Sequence, residues 1–177
     1  MNNINNHLAE VELDLYEMQS ASHLGILRCL ESIKYKENWG YNYQGTLNDK
    51  MAKSISGSLG ESAVAKFLNI KFSFTCNHGG KADLIFKYLK IQVRTQLQKP
   101  NNKNSLIIRP STAKQNEIYT LVIDQAPKFI LSGFINSSTV LDKKEYLTDF
   151  GNNRPPCISI KPEQLTPIFL LKDGSYN

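Results

Sequence analysis

Apolar residues at the start of the chain recur at helical steps. Ile4, Leu8, Val11, Leu15 and Met18 are three or four apart, and after a weaker stretch at residues 20–22 the stripe resumes at Leu27, Leu30 and Ile33. This predicts a helical N-terminal region with a bend. Such a stripe can pack on the protein's own core or seat a second copy in a homodimer. Residues 35–50 break the period. Their run Trp39-Gly40-Tyr41-Asn42-Tyr43-Gln44-Gly45 reads as a loop whose rings either anchor it to the core or stack on bases.

The helical period returns with Leu59, Ala63 and Phe67, flanked by Val64 and Leu68, and gives way to β patterns after Gly79-Gly80. Residues 82–86 and 89–95 read as two short strands joined by a tight connection. Residues 105–109, 118–123 and 128–135 follow as further strands, the last two separated by the turn Asp124-Gln125-Ala126-Pro127. A short helix is expected over 137–147, capped by Ser137 or Ser138, then a turn-rich loop over 151–156. A strand over 157–160 and a helical turn opened by Pro162 complete the pattern. The expected class is α/β (α+β), a mixed sheet flanked by helices with an N-terminal helical extension.

The length of 177 residues suits one core, divided here into residues 1–50 as a helical segment and loop and 51–177 as the main domain. Lys+Arg exceeds Asp+Glu by 21 to 16, a net charge of +5 with no block of five like charges. That mild excess suits a polyanionic partner without a disordered basic tail. Cys29, Cys76 and Cys157 are odd in number and lack a C-x-x-C pair, which disfavours a disulfide framework or a zinc site and points to a reducing compartment. With no signal-like N-terminus and no run of eighteen apolar residues, the expected location is cytoplasmic, without a membrane partner.

The chemistry concentrates between residues 57 and 95. Gly57-Ser58-Leu59-Gly60-Glu61 puts a carboxylate on the second helix, and strand alternation points Gln92 and Arg94 to one face, with Asp83 brought beside them from the preceding strand. Each residue alone has a plainer explanation. Glu61 could be a favourable charge at a helix N-terminus, Asp83 a turn residue, and Gln92 with Arg94 the solvated face of an edge strand. Their joint order is what points to a site.

That order, helix Glu61, then Gly80-Lys81-Ala82-Asp83-Leu84-Ile85, then Gln92-Val93-Arg94, resembles the PD-(D/E)XK nuclease superfamily. Residues 57–68 resemble the Gly-x-x-Gly-Glu-x-Ala-x-Ala-x-x-Leu helix of its small phage and mobile-element members. The run over 118–135, with Gly133-Phe134-Ile135, and residues 158–165 resemble their distal strands and final helical turn. The resemblance spans roughly residues 50–170 through short motifs. It implies a restriction-endonuclease-like fold and Mg²⁺- or Mn²⁺-dependent hydrolysis of DNA phosphodiesters, with RNA as the alternative substrate. It further implies a metal held by Glu61, Asp83, the Gln92 side chain and the Val93 carbonyl, and a catalytic set of Glu61, Asp83, Gln92 and Arg94. With a neutral amide replacing one carboxylate, metal binding should be weaker than in relatives with Glu-x-Lys.

Arg94 departs from the family pattern, which has Lys. A guanidinium clamps phosphate well but does not give up its proton near neutral pH. Either metal or substrate phosphate deprotonates the water, or Lys81 or Lys90 substitutes, or catalysis is lost and the fold only binds DNA or a protein partner. The candidate phosphate contacts are Lys81, Lys99, Lys103, Arg109 and Lys114, for which ordinary surface charge is the competing explanation. His7 and His23 look incidental. His78, in the loop leading to Asp83, could relay a proton or touch the nucleic-acid backbone.

Overall fold

The computed structural model describes residues 8–37, 45–76, 82–150 and 155–174. The first described element is a strand, which corrects the helix expected over Leu8 and Val11; Ile4 lies outside the described residues. In β1 (Ala9–Glu12) Ala9 and Val11 point inward and Glu10 and Glu12 outward. A period of two is nested inside the three-and-four spacing, and antiparallel pairing with β6 (Lys128–Asn136) supplies the backbone partners that decide between the two.

Helix α1 (Leu15–Lys34) begins at Asp14, whose carboxylate accepts the Glu17 N–H while the Glu17 side chain accepts the Asp14 N–H. Its buried face is Ala21, Leu24, Gly25 and Cys29. Leu27, Leu30 and Ile33, the residues of the expected stripe, are exposed at 54, 45 and 43%. Small residues won because α1 crosses a second helix closely: a Cβ on Gly25 would sit 2.6 Å from the Ile55 Cα.

That second helix, α2 (Leu47–Leu68), starts at a capping box between Thr46 and Asp49, well before Gly57, so the end of the expected loop is helical. The aromatic run at residues 39–43 lies outside the described residues. Helix α2 runs through residue 50, where the domain boundary was expected, and α1 packs along it. It stops at Asn69 in the left-handed conformation.

The main sheet has the order β1-β6-β5-β3-β2, with β2 (Leu84–Phe86), β3 (Leu89–Leu97) and β5 (Glu117–Gln125). Among the described residues only β3 and β5 pair in parallel, so the sheet is mixed, as expected. A register shift at Leu121/Val122 marks a bulge opposite Gly133, whose φ of 138° suits glycine and whose Cβ would meet the Thr166 carbonyl at 2.7 Å.

One face of this sheet carries Ile91, Val93, Ile118 and Val122 against Ala63, Val64 and Leu68 of α2. The other carries Tyr119, Leu121 and Ile123 against Leu106, Ile108, Ile158 and Ile160. These last four belong to a second sheet of order β4-β8-β7, made of β4 (Leu106–Ile108), β8 (Cys157–Ile160) and β7 (Leu147–Thr148). The helix expected over 137–147 is replaced by two 3₁₀ turns, Ser137–Thr139 and Lys144–Tyr146, running into β7. Ser137 is held by its hydroxyl, which donates to the Lys114 carbonyl and accepts the Glu117 N–H. The chain closes with the expected turn Pro162–Gln164 and with α3 (Ile168–Asp173), which burial of Ile168 and Leu171 fixes to the core. Among the described residues no helix is long and apolar enough to cross a membrane.

Candidate functional site

Two glycines set the site's geometry. The close crossing at Gly25 and Ile55 brings Arg28, one turn further along α1, over Ser58 and Glu61, one and two turns further along α2. At Gly60 a Cβ would overlap the Thr95 hydroxyl and meet Thr95 Cβ and Cγ2 at 3.0 Å, so α2 lies directly on β3. Glu61 therefore sits inside α2 and is buried, not at a helix N-terminus.

The sheet edge supplies the other half. Strand β2 pairs only with the start of β3, with Leu84 opposite Ile91, so Asp83 follows opposite Gln92 and no β2 residue reaches Val93. The Val93 N–H is instead taken by the Asp83 carboxylate, Oδ2 accepting at 2.8 Å. Gln92 and Arg94 share a face, and Gln92 lies beside Tyr119 of β5. The Arg94 guanidinium carbon stands 5.2 Å from the Tyr119 ring centre, a cation–π distance.

Arg94 contacts every oxygen expected to hold metal on this strand pair. Nη1 donates to the Val93 carbonyl at 3.0 Å and lies 3.6 Å from Asp83 Oδ2, while Nη2 donates to Gln92 Oε1 at 3.4 Å. The fourth expected ligand is engaged elsewhere: Arg28 Nη1 donates to both oxygens of Glu61, at 2.7 and 2.8 Å. Among the described residues no three His, Cys, Asp or Glu side chains form a metal-holding group. The set that suits a hard cation is thus one carboxylate, one amide oxygen and one backbone carbonyl, converging on a place where a positive group already fits.

Burial pushes the Glu61 carboxyl from an ordinary 4.5 up to about 7, with the negative charge of Asp83 adding to the rise and Arg28 opposing it. Asp83 is also raised, chiefly by burial, while Arg94, the Val93 N–H and Arg28 pull the other way. Tyr119 is pushed up, first by burial.

Two participants lie outside the motif. Arg28 is one; on a helix it falls on the face of Leu24 and Gly25, an arginine at a core-facing position that needs a buried acid. The other is Glu117, 3% exposed, whose Oε2 accepts from the Tyr119 hydroxyl at 3.5 Å and whose Oε1 has no hydrogen-bond partner among the described residues. Its alternation with Tyr119 and Leu121 along β5 was the available signal.

The basic candidates separate. Lys99 and Lys103 flank the turn after β3, whose last residue lies five positions and roughly 16 Å beyond Gln92. Arg109 and Lys114 lie on the connection from β4 into β5, which enters the sheet with Glu117 alongside Lys90, at the Asp83 end. All four side chains are exposed, as is Lys90. Lys81 and His78 lie outside the described residues, as does His7; His23 is exposed on α1. Comparison with protein-family models, curated proteins and solved structures finds no match.

Proposed function

We propose that this cluster is a phosphodiester-hydrolysing centre acting on DNA with Mg²⁺ or Mn²⁺, carried on a restriction-endonuclease-like arrangement of α2, β2, β3 and β5. The supporting observation is the meeting of Asp83, from just before β2, with Gln92, the Val93 carbonyl and Arg94 of β3, while Glu61 of α2 is buried within the electrostatic reach of Asp83 and Arg94. A divalent cation held by Asp83, Gln92 and the Val93 carbonyl would activate water and neutralise charge at the scissile phosphate. Asp83 is kept in place by the Val93 N–H. Arg94, 38% exposed in its side chain, can turn to a phosphate, and its permanent charge suits it to binding rather than proton abstraction. Arg109 and Lys114 would receive the flanking backbone.

A second reading is favoured by the same arginine: with all three oxygens engaged by Arg94 and Glu61 engaged by Arg28, the fold binds nucleic acid without cutting it. Incubation with supercoiled plasmid, single-stranded DNA and RNA, in Mg²⁺, Mn²⁺ and EDTA, separates the two. Metal-dependent cleavage absent in Asp83→Ala supports the nuclease. Intact substrate in every lane, from folded protein that shifts DNA in a gel, supports the binding protein.

A further inference from the structure

The geometry points to Arg94 as an internal counter-cation that competes with divalent metal for the oxygens of Asp83, Gln92 and Val93 and yields them when a phosphodiester arrives, so that metal and nucleic acid load together. This rests on the phosphodiester reading above.

Three observations carry it. The guanidinium spans the three oxygens from one side chain, at 3.0, 3.4 and 3.6 Å, so a metal bound to the same oxygens at about 2.0–2.6 Å would put two positive groups, itself and the guanidinium, at one place. Only the contact to the Val93 carbonyl has the length of a good hydrogen bond; the other two are long and leave the guanidinium easily drawn off. Two of the three oxygens are anchored independently of Arg94, that of Asp83 by the Val93 N–H and that of Val93 by the pairing of β3 with β5.

A phosphate offers guanidinium two charged oxygens in a geometry matched to its fork, a better partner than one carbonyl, one amide and a distant carboxylate. Moving Arg94 onto phosphate leaves Asp83 without its nearest cation, and a divalent ion then restores the balance. Linkage makes the coupling reciprocal: whatever factor DNA adds to metal affinity, metal adds to DNA affinity.

The test measures Mn²⁺ binding by electron paramagnetic resonance for wild type, Arg94→Met and Arg94→Gln, each with and without a short phosphorothioate DNA duplex, after subtracting Mn²⁺ bound by the duplex alone. Circular dichroism selects the folded variant of the two substitutions. Without DNA, the substituted protein should bind Mn²⁺ roughly tenfold more tightly than wild type, and adding Asp83→Ala should remove that gain. DNA should raise the affinity of wild type and leave the Arg94 variant unchanged. Equal affinities without DNA, no binding by either protein, or a gain that survives Asp83→Ala would each overturn the proposal. Cleavage assayed separately on a phosphodiester plasmid keeps the two ideas apart. A cutting enzyme with equal Mn²⁺ affinities retains the nuclease and loses the counter-cation; tighter Mn²⁺ binding in the variant with no cleavage by wild type does the reverse.

Discussion

Arg28, on the first helix, donates from a single nitrogen to both carboxylate oxygens of Glu61 on the second, at 2.7 and 2.8 Å, with both side chains largely buried. The residue that the motif offers as a metal ligand is thus also the anchor of the α1–α2 pair. Removing one partner of such a pair leaves the other charge buried, and Arg28→Ala should cost about 3 kcal/mol in urea unfolding. The loss should be greater at pH 8 than at pH 5, where Glu61 can take up a proton. The double change Arg28→Met with Glu61→Leu should recover most of it. Equal loss at both pH values would show that Arg28 acts through packing alone.

Stability should fall as pH rises from 5 to 8. Glu61 holds its proton more tightly in the folded chain, with the carboxyl at about 7 against an ordinary 4.5, so its contribution is fully present below about pH 4.5 and is lost as pH rises through 7. Asp83 is shifted in the same direction. Asp49 is lowered by its hydrogen bonds with Thr46, so its contribution is lost only below the ordinary carboxylate range and does not overlap this window. Glu61→Gln should flatten the decline by on the order of 2 kcal/mol, read from urea midpoints across the range. An unchanged slope would remove Glu61 as its source.

Gly25→Ala should destabilise the fold by roughly 1–3 kcal/mol, because the new methyl meets backbone atoms of Ser54 and Ile55 at 2.6 to 2.8 Å and one helix must shift. Gly60→Ala should cost a similar amount, but here the clash is with a side chain, and Thr95→Ala in the same protein should recover part of it. Gly57, whose Cβ would meet nothing within 4 Å, should accept alanine with a small gain in thermal midpoint.

On the proposed nuclease reading, Arg94→Lys places beside Asp83 and Gln92 a group able to lose a proton. If water activation limits turnover, metal-dependent plasmid cleavage should rise roughly a hundredfold, with a new acid limb in the pH–rate profile. An unchanged or lower rate would assign Arg94 to phosphate binding alone.

If the cluster acts on DNA as proposed, Lys114→Ala and Arg109→Ala should weaken DNA binding and each lower the slope of log affinity against log salt by about one, because they enter at the Asp83 end of the sheet. Lys99→Ala and Lys103→Ala, at the far end of β3, should change neither by as much. Fluorescence anisotropy over a salt series checks both pairs, and equal effects would place the bound strand along the whole of β3.

The strands β2 to β6 and β8 were legible in the chain because period-two patterns and turn residues are local, and so was the meeting of Asp83, Gln92 and Arg94, because strand alternation carries a side chain to a known face. What residues 9–34 do was decided elsewhere. Ala9 and Val11 become a strand only because β6 offers an edge, and α1 turns the face of Leu24 and Gly25 inward rather than that of Leu27 and Leu30 because α2 comes within van der Waals reach of Gly25. The partners of the site residues were likewise beyond any local pattern. Arg28 lies 33 positions from Glu61, and Glu117 lies 34 positions from Asp83, whose carboxyl its charge helps to raise; the packing of α1 on α2 and the pairing of β3 with β5 bring them together. Local propensity set which residues could carry charge on which face, and long-range packing set which charges neutralise one another.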